Sequence, residues 1–161
     1  MKVEALIDND RTMFHPEAYK LSQPMSPHAA AKRDGVKIDI SSFKIPQTNN
    51  HLVIEGAGGL LVPLNDKNTI LNIIESIKCE VIILSRHYLG SINHTLMSIE
   101  ILQQRKIPIK GILFNGKKNK DTESIITKMS GVNIIGRIDE LDHLNKSVIN
   151  SVAQNLKNKL I

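Results

Sequence analysis

Short runs of aliphatic residues alternate along this chain with longer stretches whose apolar residues recur at helical spacing, and few folds accommodate that alternation. Glu80-Val81-Ile82-Ile83-Leu84-Ser85 is a continuous apolar run, the pattern of a parallel strand buried on both faces. Just before it, Ile70, Leu71, Ile73, Ile74 and Ile77 predict a helix over residues 68–77. Just after it, Leu96, Ile99, Ile101 and Leu102 predict another, ending near Gln104. The pattern continues with a strand over 109–114, a helix over 122–129 and a strand over 132–138. An amphipathic helix over 144–160 closes it, carrying Val148, Ile149, Val152, Leu156 and Leu160. Parallel strands need a long crossover between them, and a helix supplies it. The expected fold is α/β with a doubly wound parallel sheet, and 161 residues fit a single domain over 1–161.

The front half is less regular. Residues 1–7 read as the end of a helix with Val3, Leu6 and Ile7 on one face, and no Ser, Thr, Asp or Asn caps its first turn. A domain rarely opens in mid-helix, so something upstream is expected. Residues 8–24 are broken by Pro16 and Pro24. Met25-Ser26-Pro27-His28-Ala29-Ala30-Ala31-Lys32-Arg33-Asp34-Gly35 then predicts a short helix, with Ser26 as its cap, Pro27 at the first position and Gly35 ending it. His28 is either a ligand or subunit contact or a half-exposed surface residue. Residues 41–44 read as a helical turn, 46–50 as a loop and 52–54 as one more strand.

Composition narrows the function classes. The aromatics are few (Phe14, Tyr19, Phe43, Tyr88, Phe114), which argues against nucleic-acid modules built on base stacking. A net charge of +5 is modest, and Lys117-Lys118-Asn119-Lys120 reads as a solvated loop or a phosphate patch. Cys79 is the only cysteine, so neither an intrachain disulfide nor a cysteine zinc site can form. Nothing resembles a signal peptide or a membrane span. A cytoplasmic protein without nucleic-acid or membrane partners is expected.

Three stretches carry the chemistry. In His51-Leu52-Val53-Ile54-Glu55-Gly56-Ala57-Gly58-Gly59-Leu60-Leu61-Val62-Pro63, an apolar run meets a carboxylate and a glycine-rich bend. Ligands of open α/β sheets bind beyond the carboxyl ends of strands, and Glu55 beside glycines suits a hydrated Mg²⁺ with phosphate oxygens. The other reading is a tight turn with a surface glutamate. Gly90 and Ser91 introduce the helix after residue 85, with Ser91 the expected cap and Gly90 a hinge. Its amino end is either an anion site or an ordinary capped terminus. Asn115-Gly116 ends the 109–114 strand, where Asn115 offers a base edge both a donor and an acceptor, or simply forms a turn.

Taken in order, Glu55-Gly56-Ala57-Gly58-Gly59 with Pro63, Leu89-Gly90-Ser91-Ile92-Asn93-His94 and Gly111-Ile112-Leu113-Phe114-Asn115 resemble the dethiobiotin synthetases. Tyr19-Lys20-Leu21 and Met25-Ser26-Pro27-His28 extend the resemblance to nearly the whole chain. It implies a P-loop NTPase-type fold and an ATP- and Mg²⁺-dependent ligase of biotin synthesis. In that family 7,8-diaminononanoate takes up CO₂ as a carbamate, ATP phosphorylates the carbamate, and the neighbouring amine closes the cyclic urea. The family works as a homodimer with substrate at the subunit interface. By position, Glu55 is implied as a Mg²⁺ ligand, and Glu55, Gly56, Ala57 and Gly58 line the nucleotide. Asn115, Gly116, Asp139, Glu140 and Leu141 are implied as adenine contacts. Ser26 and Pro27 lie near the substrate, and Gly90, Ser91, Ile92 and Asn93 hold its carboxylate from the partner subunit.

Two departures accompany the resemblance. Asp139 stands where the family usually has a proline after the isoleucine of Gly136-Arg137-Ile138. The family also opens with a strand, a phosphate loop ending Gly-Lys-Thr and a second strand with a catalytic lysine, whereas no G-x-x-x-x-G-K-[ST] occurs in these residues. The resemblance therefore yields no catalytic residue, and the phosphate loop and first strands are expected to be absent. The absent first strand belongs in mid-sheet, between those at 52–54 and 81–84. Those two strands then either close up on each other or receive the segment from another chain. An inactive chain unless complemented is one expectation; a degenerate, non-catalytic homologue acting as a dimerising or binding module is another. A related P-loop ATPase of the partitioning or cobyrinate-amidase kind is a third.

Overall fold

A computed structural model describes residues 3–7 and 12–160. Two compact units emerge, one comprising 14–79 and the other 80–161 together with 1–13.

In the larger unit, β1 (Val81–Arg86), β2 (Ile109–Asn115) and β3 (Ile134–Ile138) form a parallel sheet in that order. Between and after them come α3 (Ser91–Gln104), α4 (Lys120–Ser130) and α5 (Lys146–Leu160). Successive side chains of a strand point to opposite faces, and both faces carry helices. Ser85 is buried against Thr95 of α3, 2.8 Å between hydroxyls, and Arg137 reaches Glu123 of α4. The strand neighbour of Arg137, Gly136, faces the other way, where its hydrogen stands so close to Leu156 of α5 that a Cβ would lie 2.4 Å from Leu156 Cδ2. This is the doubly wound arrangement that the alternation predicted.

The β1 run corrects one expectation. Ile83 and Ser85 are buried, but Ile82 is 43% and Leu84 65% exposed. Helix α3 covers one face of β1, and a continuous apolar run cannot by itself say how many faces are covered. The core instead centres on Ile99, Leu102, Ile112, Phe114 and Ile126, each fully enclosed.

The smaller unit contains α1 (Pro27–Arg33) and α2 (Ile70–Ile77). Ala31, Ile38, Leu64 and Ile70 form its core, with Tyr19, Leu21, Phe43 and Val62 packed around them. The proline-broken segment is tied down by side chains: the Ser22 amide and hydroxyl both donate to Asp34, which holds the Asp34 carboxyl below the ordinary carboxylate range. Pro27 opens α1 as expected, although the Ser26 hydroxyl makes no capping bond. Gly35 follows the helix with φ +66°. The Asn72 side chain accepts from the Thr69 amide, 2.8 Å, and so fixes the start of α2.

Two expected elements change. Residues 52–54 form no strand, so the sheet has three strands among the described residues rather than four. Val53 is 90% exposed; three aliphatic residues have strand propensity, but a strand exists only when a neighbour accepts its backbone hydrogen bonds. At the front only a 3₁₀ turn, Glu4–Leu6, is present. Met1 and Lys2, part of the expected helix end, lie outside the described residues.

Gly111 shows how closely the strands approach. A Cβ there would meet Ile135 Cγ1 at 2.6 Å and the Asn133 carbonyl oxygen at 2.8 Å, and that carbonyl already accepts from the Ile112 amide. Gly111→Ala is expected to destabilise the chain by about 1–3 kcal/mol. Gly59→Ala, where nothing lies within 4 Å, is expected to change stability by less than about 0.5 kcal/mol. Urea unfolding of both variants checks the contrast.

Candidate functional site

Parallel pairing brings the carboxyl ends of the three strands into line, with Arg86 opposite Asn115 and Asn115 opposite Ile138. That lip is where an open α/β sheet binds ligands. Gly116 turns the chain there with φ +95°, and its amide donates to the Ile138 carbonyl, 2.9 Å. The Asn115 Nδ2 amide donates to the same carbonyl, 3.1 Å. One of the two Asn115 amide hydrogens is thus committed, leaving the other and Oδ1. Arg86 pairs with Glu140 at 3.5 Å, and a Cβ on Gly116 would lie 3.8 Å from Glu140 Oε1. Arg137 Nε is 4.0 Å from Asp139. Asn115, Gly116, Asp139 and Glu140, nominated from separate stretches, therefore come together, and the exposed Leu141 follows them in the chain.

Beneath this lip lies a charged group that the motifs did not nominate. Glu123, 8% exposed, accepts through Oε1 from the Arg137 guanidinium, the Asn119 amide at 3.0 Å and His87 Nε2 at 3.1 Å. Arg137 also donates through Nη1 to the Gly116 carbonyl, 2.8 Å. Burial, and after it the Arg137 guanidinium, hold the His87 imidazole below the ordinary histidine value. The ring is therefore neutral near pH 7 and donates its Nε2 proton to Glu123. Its Nδ1 is buried without a partner, and the ring stacks on Phe114 with centroids 5.2 Å apart.

The amino end of α3 is the third feature. Gly90, not Ser91, caps the helix, with φ +100°. Ser91 is the first helical residue, buried, and its amide donates to the Tyr88 carbonyl, 3.0 Å. A cap at φ +100° strains a residue with a Cβ, which is why the glycine takes the place expected of the serine. The amides of Ile92 and Asn93 belong to the first turn, where no intrahelical acceptor exists, and they stand at the positive end of the helix dipole. Tyr88 and His94 flank them, with the Tyr88 hydroxyl 2.7 Å from His94 Nδ1.

The smaller unit carries the remaining candidates. Glu55, Gly56, Ala57 and Gly58 are exposed and outside regular structure. Gly58 needs its glycine, with φ +84° and a Cβ position 3.0 Å from Val62 Cγ2, and Gly56 packs against Ile70 in the same way. Ser26 and Pro27 start α1, whose His28 amide donates to the Pro63 carbonyl, 3.2 Å. Among the described residues no three His, Cys, Asp or Glu side chains cluster to hold a metal. A lone exposed carboxylate fits one position around a Mg²⁺ whose other ligands are waters and phosphate oxygens, and it is not a cage.

Comparison with known proteins decides the family. A family profile described as an AAA domain matches residues 1–148. The chain is 47% identical over 159 residues to the ATP-dependent dethiobiotin synthetase of Christiangramia forsetii, across 99% of this chain and 76% of that protein. It is 43% identical over 155 residues to the enzyme so named from Cytophaga hutchinsonii, across 96% and 75%. It belongs to the dethiobiotin synthetase family. The Brucella ovis dethiobiotin synthetase is 45% identical over 141 residues, across 87% of this chain and 66% of that one. Among the described residues no helix is long and apolar enough to cross a membrane.

Of the residues that sequence reasoning missed, Arg137 left a signal. It sits within the quoted Gly136-Arg137-Ile138-Asp139, and strand alternation sets it on the face opposite Gly136. Glu123 and His87 left none, since only the fold makes them neighbours of Arg137. Because His87 stays neutral when folded, the unfolded chain takes up a proton there first. Stability is fully present above about pH 6.5 and falls as pH drops below it. His87→Asn is expected to lose less stability than the parent between about pH 7 and pH 5, as read from thermal unfolding followed by circular dichroism.

Proposed function

We propose that this chain contributes the base-binding and substrate-carboxylate parts of a dethiobiotin synthetase site, in a single α/β domain over residues 1–161. The reaction is the closing of the ureido ring of 7,8-diaminononanoate with CO₂ and ATP. The observation that carries this reading is the meeting of Asn115, Gly116, Asp139 and Glu140 at one strand lip, in a chain 47% identical to a protein of that name.

In this reading Asn115 Oδ1 accepts from the exocyclic amine of adenine, and the backbone of 139–141 closes over the ring. The amides of Ile92 and Asn93, with Gly90 and Ser91 shaping the turn, bind the substrate carboxylate, and Ser26 and Pro27 lie along the substrate. Tyr88 at 56%, Leu89 fully and Met97 at 50% exposed surround that helix end with apolar surface. A second copy covering it accounts for their exposure, so the enzyme works as a homodimer, in the cytoplasm. Glu55 provides one carboxylate ligand to Mg²⁺, and Gly56, Ala57 and Gly58 let phosphate oxygens approach the backbone. Mg²⁺, when bound, neutralises charge on the transferring phosphoryl group.

Phosphoryl transfer also depends on a loop of backbone amides and a lysine around the phosphates, and no such motif occurs in these residues. Turnover is therefore expected from a version extended at its N-terminus by a Gly-Lys-Thr loop, as in the family, and not from the 161 residues alone. Dethiobiotin formation by the two forms tests this. Turnover by the 161 residues unaided would overturn the argument about phosphate. Absence of turnover in the extended form would favour the non-catalytic, dimerising reading. In the active form, Asn115→Ala is expected to raise the KM for ATP by about three- to tenfold, consistent with one lost hydrogen bond, with kcat little changed in steady-state assays.

A further inference from the structure

The Glu123–Arg137 pair ties down both ends of one short loop. Arg137 Nη1 holds the Gly116 carbonyl at 2.8 Å, and Glu123 Oε1 holds the Asn119 amide at 3.0 Å, with Lys117 and Lys118 exposed between them. The pair itself is enclosed, Glu123 and Arg137 side chains being 10% and 16% exposed. Three segments meet on the same carboxylate: His87 from the end of β1, Asn119 from the loop after β2, and Arg137 from β3.

A buried ion pair is poor evidence for stability, because removing two charges from water costs about as much as their attraction returns. What it does supply is geometry. A guanidinium is a rigid fork with fixed donor directions, and here one arm is fixed by Glu123 while the other aims at Gly116. Had the turn only needed closing, the Gly116 amide bond to Ile138 would have sufficed.

We propose that Arg137, fixed by Glu123, is a positioning residue for the nucleotide base: it clamps the Gly116 carbonyl and so holds the Asn115–Gly116 turn in the conformation that meets adenine. Arg137 touches neither base nor phosphate in this account; it acts through Gly116. The inference rests on the reading of Asn115 and Gly116 as base contacts given above. It adds a determinant from outside the motifs that nominated them.

Two measurements test it. In the 161-residue chain, Arg137→Met is expected to speed hydrogen exchange at the Gly116 amide by at least about tenfold, with Ile112, in the middle of β2, unchanged. Arg137→Lys, which keeps one donor, is expected to fall between the two. Unchanged exchange at Gly116, or equal acceleration at Ile112, would overturn the clamp. In the extended, active form, Arg137→Met is expected to raise the KM for ATP by about tenfold, a change worth about 1.4 kcal/mol. The KM for diaminononanoate and kcat should stay within about twofold, and Arg137→Lys should restore part of the loss. A fall in kcat at unchanged KM for ATP, or an equal rise in both KM values, would overturn the positioning role. If the extended parent makes no dethiobiotin, the reading of the site falls, and hydrogen exchange still decides the clamp.

Discussion

Parallel pairing of β1, β2 and β3 is the constraint on which the larger unit depends. Each strand must satisfy its backbone donors and acceptors on its neighbours, and doing so in parallel sends all three carboxyl ends the same way. Asn115, Arg86 and Ile138 are thereby brought level. Every loop that follows a strand then empties onto the same lip, so residues from 86 to 141 become neighbours without any direct attraction between their sequences. Gly111 and Gly136 serve this pairing from below, leaving room for Asn133 and Ile135 on one side and Leu156 on the other.

Polar groups at that lip are connected rather than scattered. The Ile138 carbonyl takes both the Gly116 amide and the Asn115 side chain, and Glu123 takes an arginine, a histidine and a backbone amide. Buried polar groups are costly singly and rigid when satisfied together. His87 Nδ1 is the exception, buried with no partner. Burial, and after it the adjacent guanidinium, disfavour a proton there, so the ring stays neutral and stacks on Phe114.

The smaller unit obeys different physics. Its core is a handful of aliphatic residues with Tyr19 and Phe43 in tilted contact, centroids 5.7 Å apart. Bonds between backbone and the side chains of Asp34, Asn65 and Asn72 take the place of sheet ladders. Around Glu55 the backbone is exposed and irregular, held by the packing of Gly56 on Ile70 and Gly58 on Val62. Such a segment leaves the Glu55 carboxylate and the backbone around it exposed.

Much of the fold was legible in the sequence. Helices α1 to α5, strands β1 to β3 and the glycine-ended turns all follow from periodicity and local conformational preference, which are properties of a few adjacent residues. The motifs also carried the family, since Glu55 to Gly59, Leu89 to His94 and Gly111 to Asn115 keep their order and spacing. Local pattern failed where the outcome depended on a distant partner. Residues 52–54 have strand propensity but no strand, because propensity does not supply a neighbour. The run at 80–85 is buried on one face only, because α3 covers one face. Gly90 displaced Ser91 as the cap because the turn from β1 demands a left-handed residue. Sequence by itself determined helices α1 to α5, strands β1 to β3 and the family to which the chain belongs. Tertiary structure alone decided that Glu123, His87 and Arg137 share one buried site, since the forces that join them act through space after folding and leave no spacing in the chain.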